Sequence, residues 1–466
     1  MLFNSYEFIL LFLPVTFFGF FGTFKFFGQK AAVFFIVAAS FVFYGAWDFR
    51  YVPLLFFSIV FNFFAGKFIA AAKEKGNRGK KELVCGIAGN LLLLGFFKYT
   101  AFFAETINQV GGEILTVPQI ILPLGISFFT FTQTAYLIDV YRGETQPTDF
   151  LVYCEFVTIF PHLIAGPIIS YREMMPQFAD IKNYVPNAKN IALGLTLFIM
   201  GLFKKVIIAD SIAPWANAVF SNAHGASFAD GWIGSVAYTL ELYFDFSGYS
   251  EMAIGLGLLF NLKFPVNFDS PYQSKSIIDF WRRWHMSLSS WVREYLYIPM
   301  GGNRHGEFAK MRNLFLCMTI IGFWHGAGWT FILWGALNGV YLIINNLWRK
   351  LKIDLPIFFC VLLTFLSFNF SLMIFRSENI SDAFALTKAL FNADNIFLPT
   401  DGAFKISVLL LLLILLYFCP NPVRITEKLN PARKSVALLW ATAAAVMFAV
   451  SLLFLNRATE FLYFQF

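Results

Sequence analysis

The apolar residues of this chain run in long blocks, not in stripes of period 3.6 or alternations of period two. The clearest blocks lie at roughly 7–24, 31–47, 51–70, 84–104, 117–138, 152–169, 190–209, 229–260, 313–348, 355–375, 405–420 and 436–456. Many approach or pass the ~18–20 residues a helix needs to cross a bilayer. A segment in lipid must satisfy its own backbone, and a helix does so internally. A membrane barrel would alternate in ~10-residue units, which this chain does not. The pattern predicts an all-α, polytopic membrane protein with about 11–13 spanning or re-entrant helices.

Charge in the loops orients the spans. The stretch 73–82, Lys-Glu-Lys-Gly-Asn-Arg-Gly-Lys-Lys-Glu, is cytoplasmic by the positive-inside rule. Counting back puts Lys25 and Lys30 inside and the N-terminus outside, and 105–116, with Glu105 and Glu113 and no Lys or Arg, on the outer face. The segment 261–312 carries eight Lys/Arg and reads as cytoplasmic or interfacial. The block 313–348 is followed by the basic Trp348-Arg349-Lys350-Leu351-Lys352, so both its flanks look cytoplasmic. One crossing cannot join two cytoplasmic ends. The block is therefore expected to fold as a hairpin or re-entrant pair of short passes, bent at Trp324-His325-Gly326-Ala327-Gly328. Beyond it, 377–403, with Glu378, Asp382, Asp394 and Asp401, reads as outer. Arg424, Lys428, Arg433 and Lys434 read as inner, which leaves the C-terminus outside. The segment 152–169 fits a span poorly, because Arg172 and Lys182 follow it, and is expected to be re-entrant.

Composition agrees. The chain has 466 residues, 58% hydrophobic, 20% aromatic and 14% charged, where a soluble protein carries about a quarter charged residues. The net charge of +7 reflects cytoplasmic loops rather than nucleic-acid binding. Five cysteines stand singly with no C-x-x-C, so neither a disulfide framework nor a zinc site is suggested. No basic region precedes Phe8–Phe20, and the first block is expected to be a retained span. No repeat and no separate soluble domain stand out, so a single domain over 1–466 is expected.

An ionisable side chain inside an apolar block is costly, which raises the odds of a function. His325 is the sharpest case: a neutral buried imidazole accepts a proton near neutral pH. It could equally bond a carbonyl and steady the helix break. In Asp279-Phe280-Trp281-Arg282-Arg283-Trp284-His285-Met286-Ser287, a helix would put Trp281, Trp284 and His285 on one face. Arg282 and Arg283 suit phosphates, although an interfacial helix with lipid-headgroup arginines is the blander account. Asp245 and Glu251 in Leu242–Glu251 suit either a polar cavity or a structural ion pair. Tyr295, Tyr297 and Pro299–Arg304 suggest a tight turn. His305 reads as solvated, and His162, before Ala165-Gly166-Pro167, as structural. G-x-S-x-G, H-E-x-x-H and P-loop motifs are absent from the sequence.

These motifs, taken in order, resemble the membrane-bound O-acyltransferase superfamily, and within it the alginate O-acetylation branch. The likeness rests on Met1-Leu2-Phe3-Asn4-Ser5, Leu122–Phe128, Leu163–Ile168, Tyr243–Ser250, Asp279–His285, Tyr297–Arg304, Trp324-His325-Gly326-Ala327 and Tyr463-Phe464-Gln465-Phe466. The resemblance implies helices around a central tunnel, with His325 as catalytic histidine and His285 as a second functional one. Arg282, Arg283, Trp281 and Trp284 become candidates for donor binding, and Asp245, Tyr249, Trp324 and Asn303 for the tunnel lining. It implies no bound cofactor and no metal, and a thioester donor such as acetyl-CoA or an acyl carrier. It also implies a periplasmic serine-dependent acetyltransferase as partner, an exported polysaccharide as final acceptor, and a bacterial inner membrane as location. The family more often carries glutamine where this chain has His162, which weakens a catalytic role there. The competing class is a transporter or channel without chemistry, for which internal repeats would be expected.

Overall fold

The computed structural model describes residues 1–392, 398–428, 434–457, 459 and 461–462, with backbone alone at 427–428 and 434–437. Asp394, Arg433 and Tyr463-Phe464-Gln465-Phe466 lie outside the described residues, as do the side chains of Lys428 and Lys434. Among the described residues every regular element is helical. Seven are long and apolar enough to cross a membrane, including Glu7–Phe27, Lys80–Gly111, Ala188–Phe220, Trp329–Leu351 and Ile357–Arg376. The protein is an all-α, multi-pass membrane protein. The chain divides into two compact units, Met1–Ile199 with Tyr249–Pro265, and Met200–Gly248 with Val266–Phe466.

In the first unit, the apolar stretch Gln29–Glu74 is interrupted at Phe49–Tyr51, where Asp48 turns back to accept from the Arg50 backbone N–H at 3.0 Å. Polar side chains tie neighbouring helices. Asn62 and Asn90 exchange hydrogen bonds of 3.0 and 2.6 Å, and Gln133 donates to Ser58 at 2.9 Å. Such pairs suit a low-dielectric interior, where an unmet amide would be costly.

The block expected at 117–138 starts later, as helix Ile126–Arg142. Pro118 and Pro123 lack the N–H a helix needs, and Gly125 enters with φ +72°. A Cβ on Gly125 would sit 2.9 Å from the Leu163 carbonyl oxygen. The motifs Leu122–Phe128 and Leu163–Ile168 therefore meet backbone to backbone. The segment 152–169 holds two short helices, Phe150–Thr158 and Phe160–Leu163, neither long enough to span. Tyr249 stacks on Phe3 with centroids 4.9 Å apart, both buried.

In the second unit, 313–348 is a helical hairpin that bends at Gly326-Ala327-Gly328, between Gly306–His325 and Trp329–Leu351. Its arms are full-length helices of 20 and 23 residues, not two short passes. The arms touch through glycine. A Cβ on Gly322 would lie 2.3 Å from the Phe331 carbonyl oxygen, and one on Gly335 would lie 2.4 Å from that of Met318. Gly326 is needed for the same reason, since its Cβ would lie 2.2 Å from the Phe331 ring. Between 377 and 403, expected as an outer loop, lies the helix Ile380–Phe391.

Candidate active site

His325 is the last residue of Gly306–His325. At 1.5 Å rise per residue it stands about 20 Å along the axis beyond Arg312. Aromatic rings wall it. Trp334 meets it edge-on at 5.2 Å and Phe375 at 5.6 Å, and Trp324 is tilted at 4.9 Å. The imidazole is 8% exposed, so the rings nearly close over it. The Nε1–H of Trp334 and that of Trp281 are both buried and donate to no described atom, and the two rings lie 5.9 Å apart.

The stretch Asp279–Ser287 is not one helix. Ile277–Trp281 ends at Arg282, and His285 turns the chain with φ 44° and ψ 55°. Trp281, Trp284 and His285 therefore do not share a helical face. The cause is long-range: the Asp269 N–H donates to the Arg283 carbonyl at 2.9 Å, and the Met286 N–H to that of Asn267. The Asn267 side chain completes the turn. Its Oδ1 accepts from the Ser287 N–H at 3.2 Å and the Ser287 hydroxyl at 2.6 Å, with His285 Nδ1 at 3.3 Å. Because a backbone N–H marks that atom as oxygen, Nδ1 of neutral His285 carries the proton and the lone pair resides on Nε2. Burial holds the imidazole neutral, pushing its pKa down to about 3. Phe246 supports the ring edge-on at 4.8 Å.

The expected donor-binding residues separate. Arg282 and Trp281 line a cavity of about 560 Å³. Its floor is apolar (Met286, Leu314, Met318 among others), and Arg293, Lys310 and Arg349 join Arg282 on its walls with no carboxylate among the lining residues. Arg283 instead pairs with Asp279 at 3.0 Å. Trp284 is buried against Phe268 and Phe368, each 5.0 Å away. Neither histidine lines the cavity. The wall reaches them indirectly, since Trp281 abuts Trp334, which packs on His325, and Met286 follows His285.

Of the expected tunnel residues, Trp324 lies beside His325, and Tyr249 is buried on Phe3. Asp245 sits in an ion triad, its Oδ1 2.6 Å from Lys205 Nζ, which also holds Asp210 at 2.8 Å. Thr459, Phe461 and Leu462 close over this triad. The Thr459 hydroxyl donates to Asp210 at 2.7 Å, the Leu462 N–H to Asp245 at 3.1 Å, and Lys205 lies 4.9 Å above the Phe461 ring. Asn303 is exposed on the turn between Tyr297 and Gly306 and lines none of the described cavities. His162 is fully buried, with Nδ1 3.2 Å from the Pro167 carbonyl, and His224 is exposed beside Asp382.

Sequence reasoning missed Asn267, Trp334, Phe375, Arg293, Lys310, Arg349 and the Lys205 triad. For the triad, Asp245 as a candidate ion-pair residue and Lys204-Lys205 inside an apolar block were the signals. The others acquire a role through contacts distant in sequence.

The site thus belongs to a multi-pass helical membrane protein with one histidine at a helix break, a second buried histidine and a cation-walled cavity. Residues 123–381 match the MBOAT, membrane-bound O-acyltransferase, family. The chain belongs to that family and is an O-acyltransferase. It is 39% identical to a peptidoglycan O-acetyltransferase of Helicobacter pylori, over 100% of this chain and 98% of that protein. It is 42% identical to a protein of Azotobacter vinelandii named "Probable alginate O-acetylase AlgI", over 84% of this chain and 78% of that one. It is 30% identical to a teichoic acid D-alanyltransferase of Bacillus subtilis over 49% of this chain and 60% of that protein.

Proposed function

We propose that the protein carries a short acyl group, acetyl first among candidates, from a cytoplasmic thioester across the bacterial inner membrane for O-acylation of an exported cell-surface polysaccharide. The observation that carries this reading is His325, at a helix break about 20 Å beyond the last charge of its helix, inside an aromatic enclosure. A base there can meet a thioester from one face and a hydroxyl from the other. The donor is acetyl-CoA or an acyl carrier. Its phosphate suits the cavity walled by Arg282, Arg293, Lys310 and Arg349, and its acyl arm suits the apolar floor.

In the transfer step, His325 takes the proton of the acceptor hydroxyl as its oxygen attacks the thioester carbonyl. The C–S bond breaks, and the proton passes to the leaving thiolate, leaving an ester and a thiol. His285, with its Nδ1 proton given to Asn267, offers an acceptor at Nε2. That suits holding a donor N–H or O–H better than stabilising an oxyanion. The indole of Trp334, whose ring lies 5.2 Å from that of His325, carries an N–H with no hydrogen-bond partner among the described residues. The immediate acceptor is the serine of a periplasmic O-acetyltransferase, with both termini of the present chain on that side. The match with a peptidoglycan O-acetyltransferase along nearly its whole length puts peptidoglycan ahead of alginate as final acceptor.

The test uses the full chain in sealed vesicles, with acyl thioester on one side and acceptor on the other, following thiol release and ester formation. His325→Ala is expected to lower turnover by roughly 10²–10⁴-fold. Retained activity in a folded variant removes His325 from the chemistry. Passage of a substrate with the thioester intact would mean a transporter.

A further inference from the structure

The first unit contains a cavity of about 970 Å³ that the proposed acyl transfer does not use. Its mouth carries Lys30, Asp149, Glu144 and Arg172, and its walls are apolar at Val33, Val152 and Phe178. Glu155, on Phe150–Thr158, also lines it. The Glu155 residue is 2% exposed, and its Oε2 has no hydrogen-bond partner among the described residues. The two polar side chains that line the same end are turned elsewhere: the Tyr184 hydroxyl donates to the Phe178 carbonyl at 2.9 Å, and Gln29 Nε2 donates to the same oxygen at 3.0 Å. A buried carboxylate without a donor is strongly unfavourable. Burial favours the protonated form of this carboxyl, and a donor brought to it favours ionisation.

The wall favours a cation. Its lining has three carboxyls, Glu144, Asp149 and Glu155, against two cations, Lys30 and Arg172. Arg172 is already held by Glu144 at 2.5 Å and by Asp139 at 3.3 Å. A bare metal ion would want about six oxygen ligands, and this end offers one carboxyl, one phenol and one carbonyl. An ammonium group has three N–H donors, and a short alkyl arm suits the apolar walls.

We propose that this cavity binds a primary alkylammonium group, with the Glu155 carboxylate as its anchor. The group could belong to an ethanolamine lipid headgroup or to a free amine, and the experiment separates the two.

The full chain is placed in nanodiscs of phosphatidylcholine and phosphatidylglycerol, which lack a primary amine, and titrated with butylammonium chloride while the thermal midpoint is followed. A saturable rise is expected, at least tenfold weaker in Glu155→Gln and weakened in Val33→Trp, which narrows the cavity but keeps the carboxyl. Tetramethylammonium, without N–H donors, and potassium chloride should give no saturable rise in the unmutated protein. These two controls need no variant to fold. An equal response to tetramethylammonium, an equal response in Glu155→Gln, or no response in the unmutated protein overturns the proposal. Where binding holds, replacing part of the lipid by phosphatidylethanolamine names the source. A weaker apparent butylammonium affinity means the headgroup occupies the site, and an unchanged one means a free amine.

Discussion

Asn267 fixes the tautomer of His285. Its Oδ1, identified as oxygen by the Ser287 N–H it accepts at 3.2 Å, lies 3.3 Å from Nδ1. The two stand eighteen positions apart and meet only in the folded chain. A fully buried imidazole thus faces a chosen acceptor and turns its lone pair the other way.

Asn267→Asp keeps the acceptor and adds a negative charge. The His285 pKa should rise from about 3 toward the ordinary value or above it. Protonated His285 can no longer accept at Nε2, so turnover should acquire an acid limb, falling as pH drops through the new pKa. The unmutated enzyme should show no such limb from His285 above pH 5. A pH–rate profile between 5 and 8 on both proteins checks this.

The same burial makes stability depend on pH. The folded pKa, about 3, lies below the unfolded value near 6.5. The unfolded chain therefore binds the proton first. This contribution to stability is complete above pH 6.5 and declines as pH falls, by about 2 kcal/mol at pH 5. His285→Gln should flatten that part of the dependence, read as thermal midpoints at pH 7 and pH 5.

Arg282 and Arg283 should separate on mutation. Arg282→Ala removes a cation from the cavity wall and should raise the donor KM about tenfold, the worth of one charge-assisted hydrogen bond. Arg283→Ala breaks the Asp279 pair that holds the turn and should lower folded yield instead. Donor KM and monodisperse yield measured on both variants decide it.

Gly322→Ala drives a methyl to 2.3 Å from a carbonyl oxygen of the facing arm and should cost about 1–3 kcal/mol or prevent folding. Gly95→Ala meets nothing within 4 Å and should be neutral or stabilising by up to ~1 kcal/mol. Thermal midpoints in detergent compare the two.

Lys205→Met leaves Asp210 and Asp245 buried without their cation, an expected loss of about 3–5 kcal/mol. Adding Asp245→Asn should recover part of it. Equal midpoints for the single and double variants would contradict the shared-cation arrangement.

Much was legible before any fold. The break at Gly326 was readable because two basic flanks demand an even number of crossings and glycines mark the bend. His325 stood out because an imidazole in an apolar block is unusual. The helix expected through Trp281–His285 failed because local spacing cannot register Asn267 and Asp269, which bind the backbone of that turn from outside it. Trp334 and Phe375 looked like ordinary core residues, and Arg283 looked equivalent to Arg282.

The sequence by itself determined that this chain lives in a bilayer, where it must form helices, and where the hairpin at Gly326 bends. Those properties depend on local apolar length and on charge near span ends, both additive along the chain. Tertiary structure alone decided which nitrogen of His285 holds the proton, which rings enclose His325, which arginine faces the cavity and that Glu155 lines the other one without a hydrogen-bond partner for its Oε2. Each of these rests on atoms a few ångströms apart in space and far apart in sequence, and only packing brings such atoms together.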